Sequence, residues 1–424
     1  MKSLTFFLSI ICILLHAQAQ EIIEWRGPGR TGVYQETGLL KKWPEQGPEM
    51  LWSLESLPKG HSSVSVTNDC LYLTGTVDEM DVLVAVDLKG KIKWQTPYGQ
   101  AWNASWKDSR CTPTIEGNRV FVSSGLGDLA CLNVISGEII WKVKASEKFE
   151  GTFPRWGIAE SILIVEDKVI YSPGGSKTTI VALDKNTGKT AWMSESLKDT
   201  PGYVSPIVEN INGKKVIINV MAKYLLGVDA ENGHILWHKN YADIENQESL
   251  KIGSSGSGPY INCITPIYKD GKIYVTSGYD HVGIMFNLKN NSELEIVWIN
   301  KEMDVHHGGV VLLDGYIYGS NFLKVSTGSW CCIDWNTGKT MYETKWMNKG
   351  SVISAEGMLY CYDEKRGNIA LVKATPEGFE PVNSFKVPLG KGPHWSHLVI
   401  KDKILYVRHM NALMAYSIAK GGGI

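Results

Sequence analysis

The stretch Ala182-Leu183-Asp184-Lys185-Asn186-Thr187-Gly188-Lys189-Thr190-Ala191-Trp192 is the clearest copy of a pattern that recurs along the chain. An apolar run leads into a tight polar turn, and a second extended run then ends on a large aromatic side chain. The side chains of Asp184 and Thr187 can bond to nearby backbone groups, and Gly188 tolerates a positive φ. The stretch therefore predicts a β-hairpin.

The terminal aromatic of this hairpin returns at a regular interval. With Trp192 included, successive aromatics are mostly 43 to 51 residues apart, although one interval is longer. Their positions are Trp94, Trp141, Trp192, Trp237, Trp298, Tyr342 and Phe385. A repeat of about four dozen residues with several short strands in each repeat is typical of a β-propeller.

A second recurring pattern gives the number of blades. An apolar run, a short turn and an aromatic-rich run mark paired inner strands, as in the stretch from Ile267 to Val275. Counting these units predicts eight four-stranded blades, which begin near residues 64, 111, 159, 204, 263, 308, 351 and 396; seven blades is the alternative. Met50–Leu54 resembles a lone outer strand, whereas the last blade lacks one. We therefore expect an all-β propeller in which the N-terminal strand completes the C-terminal blade and closes the ring.

The predicted organisation is a signal peptide over residues 1–19, an N-terminal arm over 20–49, one propeller over 50–419 and a C-terminal tail over 420–424. Lys2, an apolar run and Ala17-Gln18-Ala19 have the order of a cleaved secretory signal. Ile11 disfavours lipidation of Cys12, because a small residue is wanted at that position. The apolar run is too short to span a bilayer, so we expect no transmembrane segment and a periplasmic or secreted location.

Composition excludes several classes of protein. A formal net charge of -1 does not favour nucleic acid or an anionic membrane as a partner. The cysteines beyond Cys12 are scattered and odd in number, without zinc-type or haem-type spacing, so they do not form a disulfide framework. A closed ring has no edge that demands a partner, and we expect a monomer.

Most of the histidines fall in loops that open on one face of a propeller. These loops either enter an inner strand or join the second strand of a blade to the third. The histidines expected at this mouth of the central channel are His61, His281, His306, His307, His394, His397 and His409. Further polar and aromatic candidates at the mouth are Arg110, Arg155, Trp156, Tyr203, Trp395 and Arg408. The connector that carries Trp102 and Trp106 opens on the same face.

These residue types together favour a site for an anionic, ring-shaped ligand. Histidine titrates near neutrality, arginine makes forked contacts to carboxylates, and tryptophan offers a flat apolar face. The alternative is that these side chains bond to loop backbones in an ordinary polar mouth. For an acidic saccharide we predict acid/base chemistry of the lyase, dehydratase or hydrolase type. The predicted roles are His307 or His394 as base, Tyr203 or His397 as acid, Arg155 and Arg408 on the carboxylate, Trp156 and Trp395 as the sugar platform, and Arg110, His61, His306 and His409 as further binding residues.

The Asp-x-x-Thr-Gly-Lys-x-x-Trp copies resemble the tryptophan-docking repeats of the pyrroloquinoline-quinone-binding-like propellers. That family includes quinoprotein alcohol dehydrogenases and the outer-membrane assembly scaffold lipoprotein. The arm Trp25–Gly32 and the stretches Pro154–Gly157, His306–Gly309 and Pro393–His397 are similar to its short secreted members. The resemblance covers nearly the whole mature chain. It implies eight blades, in which the outer-strand tryptophans pack beside the neighbouring blade.

The resemblance also supplies two alternative functions. Dehydrogenases of the family hold Ca²⁺ beside the quinone through a glutamate and an asparagine, with an aspartate base and a disulfide of adjacent cysteines. Metal candidates here are Glu160, Asn262, Asp280 and His281, but Cys331-Cys332 is predicted on a blade strand away from the mouth. Pyrroloquinoline quinone with calcium therefore ranks below a saccharide ligand, and a divalent metal stays open. A non-enzymatic envelope scaffold is the other alternative.

Overall fold

The computed structural model describes residues 21–240, 243–244, 261–324 and 327–421. Strands in these residues form eight sheets, each with a four-stranded antiparallel blade; seven blades use four consecutive strands, and the last uses three together with an N-terminal strand. The predicted signal peptide and residues 422–424 of the predicted tail lie outside the described residues. Within the described part, no helix combines the length and the apolar character needed to cross a bilayer.

Strands are numbered β1 to β34 in chain order, and the arm contributes the first three. These are β1 (Ile22–Ile23), β2 (Val33–Tyr34) and β3 (Glu49–Leu54). Blade 1 consists of β4 (Ser65–Val66), β5 (Cys70–Val77), β6 (Met80–Asp87) and β7 (Ile92–Gln100), and blade 2 consists of β8 (Thr114–Glu116), β9 (Arg119–Ser123), β10 (Asp128–Asn133) and β11 (Ile139–Lys144). Blade 3 consists of β12 (Leu163–Val165), β13 (Lys168–Tyr171), β14 (Val181–Asp184) and β15 (Thr190–Met193), and blade 4 consists of β16 (Ile207–Ile211), β17 (Lys214–Val220), β18 (Tyr224–Asp229) and β19 (Ile235–Asn240).

Blades 5 to 8 follow the same order from the channel outward. Blade 5 consists of β20 (Ile267–Lys269), β21 (Lys272–Val275), β22 (Gly283–Lys289) and β23 (Glu293–Asn300), and blade 6 consists of β24 (Val311–Leu313), β25 (Tyr316–Ser320), β26 (Trp330–Asp334) and β27 (Thr340–Thr344). Blade 7 consists of β28 (Gly350–Ala355), β29 (Met358–Asp363), β30 (Asn368–Lys373) and β31 (Pro381–Lys386), and blade 8 consists of β32 (Val399–Lys401), β33 (Ile404–His409), β34 (Ala412–Ser417) and β3. A short helix, α1 (Ala145–Lys148), follows β11, and Pro28–Arg30 form a 3₁₀ turn in the arm.

The recurring hairpin holds neighbouring blades together. In its clearest copy, the Asp184 carboxylate accepts the Thr187 amide at 2.8 Å, and Gly188 has φ of 68°. The indole Nε1 of Trp141, from the preceding blade, donates to the Lys185 carbonyl at 2.9 Å. A Cβ at Gly188 would lie 2.9 Å from the Trp141 ring, so the glycine makes room for the indole. The predicted packing of outer-strand tryptophans beside the next blade is confirmed here, and Trp192 repeats it with a 3.1 Å bond to the Ala230 carbonyl.

Ring closure follows the prediction. β3 pairs antiparallel with β34, with Met50 opposite Tyr416 and Leu54 opposite Leu413. The N-terminal strand thus completes the last blade, and the eight-bladed prediction is confirmed over the seven-bladed alternative. Apolar side chains fill the spaces between sheets, as where Ile170 of blade 3 shares a buried cluster with Leu226 of blade 4.

The N-terminal arm lies inside the central channel, which the sequence did not predict. β1 pairs with the innermost strand of blade 2, and β2 runs parallel to the innermost strand of blade 7. Between them, Arg30 donates to the carbonyls of Ser161 and Ile162 in the connector that enters blade 3. Arg26 donates to the carbonyls of Val310 and Val352 at blades 6 and 7. The arm therefore crosses the channel and divides it.

Candidate functional site

A cavity of about 360 Å³ lies at the mouth of the channel, on the face formed by the connectors between blades. Loops of all eight blades and the N-terminal arm supply its walls. The lining residues are Trp25, His61, Trp106, Arg110, Trp156, Ala159, Ser161, Tyr203, Ser205, Cys263, Tyr279, His306, His307, Phe322, Glu364, Trp395 and His397. The arm separates this cavity from a second one of about 340 Å³, and Trp25 contributes to both.

Half of the sixteen residues proposed from the sequence line the cavity. They are His61, Arg110, Trp156, Tyr203, His306, His307, Trp395 and His397. The other half do not line it: Arg155, His394, Arg408, His409, Glu160, Asn262, Asp280 and His281. Because blade topology assigns loops to a face but not side chains to a depth, sequence reasoning found the mouth without ranking its residues.

An ion cluster on one wall gives the cavity its charge. His307 Nε2 lies 3.0 Å from Oε2 of Glu364, and the Lys349 ammonium pairs with the other oxygen of the same carboxylate. Glu364 and Lys349 are both buried, with 8% and 2% of their surfaces exposed. Burial alone would raise the pKa of Glu364, but its bond to His307 and the charges of His307 and Lys349 hold that pKa below its ordinary value. Glu364 is therefore an ionised carboxylate at neutral pH.

The carboxylate also fixes the orientation of the His307 ring. The 3.0 Å contact is a charge contact, because Glu364 Oε2 has no well-aligned hydrogen bond among the described residues; an ionised carboxylate accepts and does not donate, so the contact favours a proton on the facing Nε2. In neutral His307 the lone pair is then on Nδ1, a buried atom with no hydrogen-bond partner among the described residues. A carboxylate behind one nitrogen and a lone pair at the other is the arrangement of a general base.

Two further histidines of the cavity are held neutral. Burial lowers the pKa of His306 well below its ordinary value, and the nearby charges of His307 and Lys349 act in the same direction. Burial, followed by the charges of Arg110 and Arg408, lowers the pKa of His61 well below its ordinary value. Neutral imidazoles offer hydrogen bonds to a ligand without adding positive charge.

Aromatic rings form the remaining walls. On one side the Trp395 ring lies 4.8 Å from the His61 ring, 5.2 Å from the Trp106 ring and 5.4 Å from the His307 ring. On the other side, the Trp156 and Tyr279 rings are stacked with centroids 6.3 Å apart. Such surfaces suit a ligand with a flat or ring-shaped apolar face.

Tyr203 and Arg110 add polar groups to the aromatic walls. The Tyr203 hydroxyl oxygen accepts the Trp156 amide at 3.0 Å, and its own proton remains available for donation. Burial raises the pKa of Tyr203 far above its ordinary value, so the phenol is neutral. Burial also lowers the pKa of Arg110. Arg155 lies at the rim, exposed, with its guanidinium 5.6 Å from the centroid of the Trp156 ring.

His397 lines the cavity but does not suit its predicted role as an acid. Its Nδ1 faces the Arg26 guanidinium at 2.8 Å, and its Nε2 faces the His307 carbonyl at 2.9 Å. Both ring nitrogens are therefore engaged by the protein. Burial and the charge of Arg26 lower the pKa of His397 well below its ordinary value.

Three other predicted site residues bond to groups within the loops and do not line the cavity. The Arg408 guanidinium is buried and donates to the carbonyls of Pro58, Ser62 and Met410. His394 bonds to the Tyr362 hydroxyl at 2.6 Å and stacks on His409 with centroids 3.6 Å apart. Both ring nitrogens of His409 face backbone carbonyls, at Leu389 and Gly392. The predicted ligand contacts of Arg408, His394 and His409 do not fit these positions, because each side chain is occupied by neighbouring backbone or rings.

The proposed metal residues do not converge. The Asn262 amide nitrogen donates to two backbone carbonyls, at Met221 and Ala222. The Glu160 carboxyl accepts the Ser172 amide, and burial raises its pKa to about 8. His281 is buried and does not line the cavity. Among residues 21–240, 243–244, 261–324 and 327–421, no group of three or more histidine, cysteine, aspartate or glutamate side chains is arranged to hold a metal ion.

The calcium and disulfide parts of a quinone site do not fit this cavity. Cys331 and Cys332 are adjacent on β26, are free thiols, and belong to different buried clusters on the two faces of blade 6. Neither of them lines the cavity, whose lining contains a different cysteine, Cys263. Among the described residues, the candidates for the dehydrogenase donor set, Glu160, Asn262 and Asp280, do not line the cavity.

Several lining residues escaped the sequence-based reasoning. Glu364 lies in the turn between the second and third strands of blade 7, and Lys349 lies in the connector that enters that blade. Both loops belong to the two classes that placed the histidines at the mouth, so the same rule applied to carboxylates and lysines would have found them. Trp25 gave no such signal, because the arm has no repeat to define its place.

Comparisons with known proteins agree with this architecture. The family model described as outer membrane protein assembly factor BamB matches residues 79–344. Outer membrane protein assembly factor BamB of Moranella endobia is 24% identical over 157 residues, which cover 36% of this chain and 36% of that protein. Quinoprotein ethanol dehydrogenase of Pseudomonas aeruginosa is 26% identical over 185 residues, which cover 40% of this chain and 27% of that protein.

Among solved structures, quinohemoprotein alcohol dehydrogenase of Comamonas testosteroni is similar with a TM-score of 0.66 at 11% identity, covering 93% of this chain and 80% of that chain. A likeness at that identity shows the fold alone. The sequence alignments span about a third and about a quarter of the two curated relatives. Fold and family are thus shared with assembly factors and with dehydrogenases, and the cavity must decide between their functions.

Proposed function

This chain belongs to the propeller family of outer membrane protein assembly factor BamB, and we propose that it binds a small anionic, ring-shaped ligand in its mouth cavity. An acidic saccharide is the ligand class that the lining suits best. Aromatic walls would hold the ring faces, and the cation Arg110, which lines the cavity, would attract a carboxylate. The supporting observation is the His307–Glu364–Lys349 cluster buried beside Trp395.

The same cluster supports acid/base chemistry on that ligand. Proton abstraction next to a carboxylate needs a base, an acid and a cation that neutralises the carboxylate. His307 Nδ1 would accept the proton, while Glu364 stabilises the imidazolium that forms. The neutral Tyr203 phenol would protonate the leaving oxygen, and Arg110 would hold the carboxylate. This assignment keeps His307 and Tyr203 from the sequence-based hypothesis and removes His394, His397, Arg155 and Arg408 from it.

A periplasmic or secreted location completes the proposal. It rests on the signal-like sequence of residues 1–19 and on relatives named as outer membrane assembly factors. A secreted propeller would meet acidic saccharides outside the cytoplasm.

Thermal unfolding against a ligand panel tests the proposal, because a ligand that binds only the native state raises the midpoint. The panel holds uronic-acid oligosaccharides, neutral oligosaccharides of the same length, divalent metals, and pyrroloquinoline quinone with Ca²⁺. We expect a rise with the uronic-acid oligosaccharide that disappears in His307→Gln and persists in His394→Gln. His394 is the matched control, since it lies at the mouth but outside the cavity. A rise with the quinone and Ca²⁺ alone would replace the proposal with the dehydrogenase alternative.

The second candidate function is a non-enzymatic scaffold that binds a protein partner. Family membership favours it, as does the exposure of two apolar residues at the mouth: Trp106, which lines the cavity, is 59% exposed, and Leu323, next to the lining residue Phe322, is 54% exposed. This alternative predicts that no small molecule in the panel raises the midpoint. It also predicts that Trp106→Ala weakens association with the partner while His307→Gln does not.

A further inference from the structure

The arm sequence Trp25-Arg26-Gly27-Pro28-Gly29-Arg30-Thr31-Gly32 is distinctive, yet the proposed function does not explain it. In the structure Trp25 lines the mouth cavity, whereas Arg26, Gly29, Arg30 and Thr31 line the second cavity behind it. The Trp25 ring lines the cavity and meets the His397 ring edge to face, with centroids 5.1 Å apart. The residue after it, Arg26, is 2% exposed and has a positive φ of 64°.

Three of the four N–H groups on the Arg26 terminal nitrogens have an identified partner. Nη1 donates to the Val352 carbonyl at 3.0 Å and faces His397 Nδ1 at 2.8 Å, and Nη2 donates to the Val310 carbonyl at 2.6 Å. A guanidinium has donors and no acceptor. The bond to His397 therefore runs from Arg26 to the ring, and Nδ1 of His397 must present its lone pair.

This direction of bonding determines the tautomer of His397. With its lone pair on Nδ1, the neutral ring carries its proton on Nε2. That nitrogen lies 2.9 Å from the backbone carbonyl of His307 and donates to it. A continuous chain of donors thus runs from the arm, through His397, to the backbone of the residue whose ring faces Glu364.

The loop after His307 is shaped to admit the arginine. Gly309 has φ of +71°, and a Cβ there would lie 2.1 Å from Arg26 Nη1 and 3.0 Å from His397 Cε1. Any other residue would displace the guanidinium or the imidazole. The sequence His306-His307-Gly308-Gly309 therefore combines a site histidine with the space that its support requires.

We propose that Arg26 and His397 are positioning residues for His307, so that the N-terminal arm is a working part of the mouth site. Arg26 holds His397 in one tautomer, and His397 in turn holds the His307 carbonyl and thereby the aim of its ring. This inference rests on the proposed function, which gives the orientation of the His307 ring its purpose. The hydrogen-bonded chain from Arg26 through His397 to His307 exists in the free protein. Burial and the Arg26 charge, which lower the pKa of His397, are consistent with a ring that stays neutral.

The test is a nitrogen NMR spectrum of the free, full mature chain labelled with ¹⁵N-histidine, which distinguishes the two neutral tautomers and the imidazolium. His397→Asn assigns the His397 signals. In the wild type we expect His397 to show a protonated Nε2 and an unprotonated Nδ1 throughout the range from about pH 5 to pH 8. The charged or titratable groups that face this ring are Arg26 and His307. A wild-type His397 that titrates within this range, or that carries its proton on Nδ1, would overturn the inference without any variant.

Two arm variants distinguish a specific effect of Arg26 on the His397 and His307 rings from a general loss of structural support by the arm. Arg26→Met keeps the length of the side chain and removes its donors, so we expect His397 to lose its single tautomer and the His307 ring signals to shift. Arg30→Met is the matched control, because Arg30 is equally buried but bonds to Glu24, Ser161 and Ile162 rather than to a histidine. Arg26→Lys should restore part of the wild-type His397 spectrum by supplying one donor.

The outcomes distinguish this inference from the proposed function. If His397 and His307 spectra are the same in the wild type, Arg26→Met and Arg30→Met, the positioning role is wrong. If the spectra change as expected but uronic-acid oligosaccharides never raise the unfolding midpoint, the positioning role holds and the ligand assignment is wrong. Because the spectra are recorded without ligand, the two failures cannot be confused.

Discussion

Glu364→Gln is the substitution that most sharply tests the electrostatics of the mouth. The change keeps the size of the side chain but removes the negative charge that lies between His307 Nε2, at 3.0 Å, and the ammonium of Lys349. Lys349 is 2% exposed, so it would be left as a buried cation without its carboxylate. Removing one partner of a buried ion pair costs about 3–5 kcal/mol, and we expect a loss of folding stability in that range.

Denaturant unfolding of four proteins measures this effect. They are the wild type, Glu364→Gln, Lys349→Met and the double variant. Because the double variant removes both charges, it should be more stable than the sum of the single losses predicts, with a coupling of about 0.5–3 kcal/mol. Strict additivity, or a Glu364→Gln protein within about 0.5 kcal/mol of the wild type, would refute the buried pair.

The pH dependence of the same comparison has a definite sign. The folded-state pKa of Glu364 lies below its ordinary value, so its ionised form stabilises the fold at pH values above that ordinary value. The contribution is lost as the pH falls through the folded-state pKa. The stability gap between the wild type and Glu364→Gln should therefore be widest near neutrality and narrow on acidification. A gap that widens on acidification would contradict the account.

Three further predictions concern residues outside the ion cluster. Trp141→Ala should lower the free energy of unfolding, measured with denaturant, by about 3–5 kcal/mol, because it empties the space between blades 2 and 3 and removes the bond to Lys185. A loss below about 1 kcal/mol would contradict the role of this tryptophan in packing neighbouring blades together. Arg408→Met should lower the free energy of unfolding, because three carbonyls that Arg408 serves lose their donor at about 1–3 kcal/mol each. The same variant should keep the ligand-induced rise in thermal midpoint. Loss of that rise in a stable Arg408→Met protein would return Arg408 to the ligand site. Burial raises the pKa of Glu160 to about 8 in the folded protein. Above the ordinary carboxyl pKa, the unfolded chain therefore loses a proton that the folded protein keeps, and folding stability falls as the pH rises towards 8. Glu160→Gln should therefore raise the thermal midpoint more at pH 8 than at pH 5, and an equal change at both values would count against the raised pKa.

The fold was predictable because its determinants repeat. The hairpin turn with Gly188-like geometry recurs in most blades, and an outer-strand aromatic follows it at a regular interval, so local turn chemistry and the period lead to the same architecture. The incomplete first and last units predicted closure by β3 for the same reason. The arm has no repeat, and its place in the channel depends on side-chain bonds from Arg26 and Arg30 to backbone carbonyls far away in the sequence. No local pattern predicts such bonds.

The candidate site was predictable to the level of a face of the molecule. Blade topology assigns whole loops to the mouth, which is why His61, His307 and Trp395 were found together. Depth within the mouth depends on packing, and packing turned Arg408 inward to loop carbonyls. The Glu364 carboxylate was missed because a charged turn such as Asp363-Glu364-Lys365-Arg366 ordinarily lies in solvent, and the pairing with Lys349 that permits its burial is a tertiary contact.

The most direct measurement is a calorimetric titration of a uronic-acid oligosaccharide into the wild type and into Ala159→Phe. Ala159 lines the cavity, so a phenyl ring there would take up space that a ligand needs, while the residues of the ion cluster stay unchanged in sequence. A neutral oligosaccharide of equal length is the control for charge. The account predicts binding of the acidic ligand to the wild type, weak or no binding of the neutral one, and loss of binding in Ala159→Phe with the fold retained. No heat with the acidic ligand, or equal affinity in the filled variant, would contradict the claim that the mouth cavity is the ligand site.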